Sequence, residues 1–339
     1  MHLSKKSSAA LLTAAVPALI WLAHSITIAA PVQTQSHPTV TKEMFDQWMT
    51  EMSNWGRWGK DDQMGTINLI TPAKRKQGLG LAKEGVSFSL ARDVEKEKAI
   101  DNPQPFSLKM GVGRDGIVRG VDQISVSYHG YIHTHMDALC HFSYNGKVYN
   151  GYSDREILTA DGATKNSVGA FKGGIMSRGI LIDIPALKGV DYLEPGTHIY
   201  PEDLDAWEKK AHLKISSGDV IFLRTGRFAR RDKMGPWNTG NPGMAGLDAL
   251  CLKWLKQRDI AMVGSDAVMD VMPSGVEGVV QPIHTGVLVA MGTPIFDNCD
   301  LELLSREASR RQRWEFLITA APLAVQGGTG SPLNPIATF

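Results

Sequence analysis

From Ile124 to Asp137 apolar and polar residues alternate. Ile124, Val126, Tyr128, Ile132 and Met136 share one parity, and Ser127, His129, Tyr131, His133, His135 and Asp137 the other. A period of two predicts a half-buried strand with alternate side chains on opposite faces. Further apolar runs at Val86–Leu90, Gly179–Pro185, Gly218–Gly226 and Ile260–Ser265 also read as strands, and Gly179–Pro185 has the character of one buried on both faces. Thr71 followed by Pro72 predicts a capped helix running to Ala82, with proline at its first position. Pro201–Leu213 reads as a helix whose early acids Glu202 and Asp203 complement its dipole, and Gly246–Arg258 as an amphipathic one. Strands alternating with helices through the second half predict an α/β organisation. Ala99–Gly116, with Pro103 and Pro105, reads as a long loop. Trp48, Trp55 and Trp58 either line an aromatic pocket or pack in the core.

The chain has 339 residues, 43% hydrophobic and 34 of them Gly, enough for one large core. Residues 1–30 stand apart, with Lys5 and Lys6, an apolar run from Ala9 to Ala23 and small residues at 27–30. This is the pattern of a secretory signal peptide, so the protein is expected to be periplasmic or secreted. The other reading is an uncleaved anchor, although the apolar run is shorter than the roughly 20 residues a spanning helix needs. Residues 31–57 read as an N-terminal arm and 58–339 as a single domain. Without Lys5 and Lys6, Lys and Arg number 34 against 35 Asp and Glu, and the net charge moves from +1 to −1. Nothing in such a balance points to a nucleic-acid or acidic-membrane partner, and a small-molecule substrate is the expectation. Three cysteines, Cys140, Cys251 and Cys299, allow at most one internal disulfide. No internal repeat or P-loop is present, and Gly111-x-Gly113-x-x-Gly116 follows no convincing strand.

The chemistry concentrates in one stretch. His129, His133, His135 and His141, four of the chain's ten histidines, lie within thirteen residues together with Asp137. Imidazole nitrogen and carboxylate oxygen on one strand face suit a divalent ion such as zinc or manganese. A metal also holds such imidazoles neutral where several would otherwise repel. His141 falls where the alternation stops, on the turn leaving the strand, a place for a general base. Cys140, beside it, reads as a small buried hydrophobe.

The segment Thr134-His135-Met136-Asp137-Ala138-Leu139-Cys140-His141 resembles the signature His-x-Gly-Thr-His-x-Asp-x-Pro-x-His of the metal-dependent cyclase family, which includes kynurenine formamidases and isatin hydrolases. The resemblance implies that His135 and Asp137 are metal ligands and His141 the catalytic histidine. The family's first histidine falls on Tyr131 and its Gly on His133, so His133, or else His129, is expected to supply the missing nitrogen. Leu139 stands at the usual Pro. Downstream, His284 resembles the histidine that heads a helix near the metal in this family. Asp297-Asn298 resembles a Glu-Asn pair, with a shorter acid that leaves a second ion in question. Segments from Trp58 to Phe339 are similar to the longer members. The resemblance implies a swivelling β/β/α fold, a homodimer, and a metal-dependent hydrolase of an amide, cyclic amide or lactone. An exported protein that holds a metal without turnover is the other reading. Asp266 and Asp270, near the end of a core strand, are weaker candidates to support the ligands.

Overall fold

The apolar runs of the second half become the centre of one mixed sheet. The structure, a computed structural model, describes residues 37–114 and 118–339 together with His2; apart from His2, the expected signal peptide lies outside the described residues. The strands are β1 (Ser87–Ser89), β2 (His135–Asp137), β3 (Ile175–Asp183), β4 (Val220–Arg224), β5 (Met262–Ser265), β6 (Ile295–Asp297), β7 (Glu315–Ala320), β8 (Gly330–Pro332) and β9 (Ile336–Thr338). Their spatial order is β1-β9-β7-β3-β4-β5-β6-β2-β8. The central run β3 to β6 is parallel. The outer pairs are antiparallel. Every residue of β4, β5 and β6 is buried, as a parallel sheet covered on both faces requires.

Helices cover this sheet where the sequence places them, with trimmed ends. Pro72–Leu79 begins at Thr71, whose hydroxyl accepts the Lys74 N–H at 3.2 Å. Its close approach to β3 depends on Gly78, where a Cβ would lie 2.5 Å from the Ser177 carbonyl oxygen. Lys74 then reaches under the helix to Asp219, a buried ion pair at 2.6 Å. The helix expected from Gly246 starts at Cys251 because Gly246–Leu247 pairs in parallel with His198–Ile199. Residues Thr39–Phe339 form one compact unit, so 39–57 belong to the domain instead of preceding it as an arm. Helix Lys42–Glu51 buries Phe45 and Trp48, and Trp55 donates its indole N–H to the Val289 carbonyl at 2.7 Å. Cys140, Cys251 and Cys299 are all buried and free. Among the described residues no helix is long and apolar enough to cross a membrane.

The first half departs further from expectation. The alternating stretch is not one strand. Val118–Ser125 pairs with Ser107–Arg114 in a two-stranded hairpin, replacing much of the loop expected over 99–116. The chain then leaves the ladder through bends and regains strand geometry only at β2.

The ends of β4, β5 and β6 lie at one edge of the parallel run, where open α/β sheets gather functional groups. Thr225, Asp266 and Asn298 follow those ends directly, and β2 enters beside β6.

Candidate metal centre

β2 is wedged between β6 and β8. Asp297 lies directly across from His135, and Gly330 across from Asp137. Cross-strand partners share a face, as do residues two apart, so His135, Asp137 and Asp297 present their side chains together. The fit of β8 depends on Gly330. A Cβ there would come within 2.4 Å of the Met136 carbonyl oxygen and 2.8 Å of His129 Cε1.

Three further imidazoles close on this face. His129 arrives from the bends after Ser125 with Nδ1 3.0 Å from Asp137 Oδ1, while its Nε2 meets the Thr329 hydroxyl at 3.0 Å. His141 sits on the turn after β2, its ring stacked on His129 at 3.8 Å between centroids and 6° between planes. His284 ends the short helical turn Pro282–His284, which continues as a π-type helix over Thr285–Met291. Such wide turns recur at functional sites. Its Nδ1 lies 2.6 Å from Asp270 Oδ2 and its Nε2 3.1 Å from Asp297 Oδ2.

Both oxygens of Asp137 are buried and accept no hydrogen bond, and Asp297 Oδ1 is in the same condition. Yet four imidazole nitrogens stand around Asp137, from His129 at 3.0 Å, His135 at 3.4 Å, His284 at 3.7 Å and His141 at 3.8 Å. A buried carboxylate without hydrogen bonds costs several kcal/mol unless a cation compensates it. Burial pushes the Asp137 carboxyl upward, but the imidazoles of His141 and His135 outweigh it and hold it well below the usual range. Burial dominates at His141 and lowers its imidazole to about 4. At His284 burial acts downward, and the carboxylates of Asp297 and Asp270 overcome it. The donors form two overlapping triads, His129–Asp137–His141 and His135–Asp137–Asp297, each with ligand atoms within 4.8 Å of one another. Borderline nitrogen and oxygen donors around a buried carboxylate that accepts no hydrogen bond fit a divalent ion.

The structure thus brings His135, Asp137, His284, Asp297 and His141 together, and does not bring His133. The His133 ring turns away, with Nε2 3.4 Å from the Glu95 carbonyl, and lines a neighbouring cavity with Asp101 and Gln104 that shares His129, Gly130 and Tyr131 with the one over the site. His129 stands in its place. Strand parity fails here because 126–134 are not strand. Of the two weaker candidates, Asp270 does support a site histidine. Asp266 instead accepts the N–H groups of Thr225, Gly226 and Arg227 and caps helix Arg227–Met234. Burial raises the Cys140 thiol to about 12, which keeps it inert. Over the site opens a cavity of 180 Å³ lined by Tyr131, Phe142, Val268 and Gln281 besides the ligand candidates. None of the three N-terminal tryptophans lines it.

Residues 20–269 match the family described as Putative cyclase. The chain belongs to the cyclase family. A crystal structure of a novel cyclase resembles this cyclase with a TM-score of 0.77 and 30% identity, over 85% of this chain and 98% of that one. Isatin hydrolase A from Labrenzia aggregata, bound to benzyl benzoate, has a TM-score of 0.56 and 20% identity, over 77% of this chain and 97% of its own. Isatin hydrolase A from Ralstonia solanacearum has a TM-score of 0.52 and 18% identity, over 77% and 95%. At those identities the two hydrolases share the cyclase's fold. No curated protein matches the cyclase in sequence.

Proposed function

We propose that this cyclase is a metal-dependent hydrolase of an amide, cyclic amide or lactone. The observation that carries the reading is the Asp137 carboxylate, buried without a hydrogen bond and ringed by four imidazoles. His129, His135 and Asp137 would hold the ion, zinc or manganese, with Asp297 and His284 completing the donor set. A divalent ion in such a site supplies Lewis-acid polarisation of the scissile carbonyl and acidifies water. The chain's own groups do the rest. His141, kept neutral by burial, accepts the proton of the attacking water at Nε2 and passes it to the leaving group. Tyr131, Phe142 and Val268 wall the substrate from solvent, and the Gln281 amide offers a polar contact at the rim. The isatin hydrolases of the same fold are named for the hydrolysis of isatin, a cyclic amide, which agrees with that member of the range.

Export to the periplasm or beyond, and assembly as a homodimer, belong to the same proposal and rest on residues 1–30 and on the family resemblance. The deciding experiment is a hydrolysis screen of metal-reconstituted protein across aryl amides, cyclic imides and lactones, with chelated protein alongside. Turnover lost on chelation and restored by zinc or manganese is expected. Metal uptake with no turnover on any of these substrates would overturn the enzyme and leave a metal-holding protein.

A further inference from the structure

Asn298 follows Asp297 directly and carries no charge, yet its bonds reach every segment that delivers a ligand from the first half of the chain. It is completely buried and adopts the left-handed conformation, φ 54°. Its side-chain NH2 donates to the Gly130 carbonyl at 2.7 Å and to the His133 carbonyl at 3.4 Å. Its main-chain carbonyl accepts the Thr134 hydroxyl at 2.7 Å, and its main-chain N–H donates to Ala267 at 3.0 Å. Its Oδ1 accepts from Arg227 Nη1 at 3.2 Å. The guanidinium on one side and two carbonyls on the other leave the amide a single orientation.

The carbonyls it holds are the ones that matter for the site. Gly130 is the residue after His129, so the bond to its carbonyl fixes where the bent segment sets that imidazole down. The His133 carbonyl also meets His135 Nδ1 at 2.8 Å, and this contact places the proton on Nδ1 and leaves Nε2 free to face Asp137. Residues 126–134 have no strand ladder to set their register, and Asn298 supplies the register instead.

We infer that Asn298, oriented by Arg227, is the positioning residue that sets His129 in place and fixes the tautomer of His135. The inference rests on the metal-site reading for its purpose, and on hydrogen bonds alone for its geometry. Two variants separate the side chain from the backbone. Asn298→Gly keeps the left-handed conformation and removes the amide. Asn298→Asp keeps the size and the Arg227 partner but turns an acceptor toward two carbonyls.

The test has two arms, and either variant that folds suffices. In metal-free protein labelled with nitrogen-15 histidine and held at alkaline pH, where His135 is neutral, the wild type shows His135 as the Nδ1–H tautomer, and the variants show a tautomer mixture. In cobalt(II) titrations followed by visible absorption, the variants bind about 10- to 100-fold more weakly, the range for lost support of a ligand, and their spectra shift. Variants with the wild-type tautomer and wild-type cobalt(II) affinity would overturn the assignment. A wild type that binds no cobalt(II) would instead overturn the metal-site reading, and the tautomer comparison would still decide the role of Asn298.

Discussion

Asp270 grips His284 from behind, with Oδ2 2.6 Å from Nδ1, and the same carboxylate accepts the main-chain N–H groups of Ile283 at 2.6 Å and His284 at 3.2 Å. One side chain therefore caps the helical turn and fixes which His284 nitrogen faces Asp297. Asp270→Asn is expected to lower metal affinity about 10- to 100-fold, with a further cap loss of about 1 kcal/mol in stability. Metal titration and thermal melting of the purified variant measure the two effects separately. Unchanged affinity would remove His284 from the donor set.

His141→Ala is expected to keep its metal and lose turnover by about 10²- to 10⁴-fold, the usual contribution of a general base. Elemental analysis beside a rate measurement decides it. Because His141 belongs to one of the two donor triads, loss of the ion would make it a ligand and move the base elsewhere.

The pH profile distinguishes base from ligands. Burial holds the His141 imidazole near 4, so it stays neutral and able to accept a proton at any higher pH. At His135 burial acts downward, but Asp137 and Asp297 prevail and raise its imidazole above the ordinary value, so protonation competes with an ion there well before it reaches His141. The acid limb of the rate is expected above pH 4 and should move to lower pH as metal concentration rises. Rates measured at two metal concentrations show this, and a limb that stays fixed would assign it to a group outside the donor set.

Away from the site, Lys74→Met leaves Asp219 buried with Arg178, at 3.2 Å, as its remaining cation. Breaking one side of such a pair costs about 3 kcal/mol or more. Denaturant unfolding should show that loss while metal content stays at the wild-type level. A variant as stable as the parent would mean Arg178 alone compensates the charge.

The sequence was legible where one local rule governed the result. Apolar runs marked β3 to β5 because burial on both faces leaves little choice of residue, and Thr71-Pro72 marked a helix start through its capping chemistry. The proximity of His135, Asp137 and His141 was readable from their spacing, which a strand and the turn after it preserve. His133 was expected ahead of His129, and the structure turns His129 inward instead, because parity carries information only while the ladder continues. The ladder stops at Ser125, and long-range bonds from Asn298 and Thr329 decide which imidazole turns inward. The hairpin over 107–125 was missed because Gly111, Gly113 and Gly120 dilute its alternation.

The placement of β8 also bears on when the protein can mature. The strand with the first candidate ligands lies between partners contributed by residues 295–297 and 330–332, and the His129 ring leans on Thr329. During synthesis the histidines of the first half emerge well before residues 295–297 and 330–332, which wall them. A nascent chain that has not yet reached residue 330 therefore lacks one side of the site. Trimming from residue 329 onward would leave the donors of the first half in the sequence and the centre unbuilt.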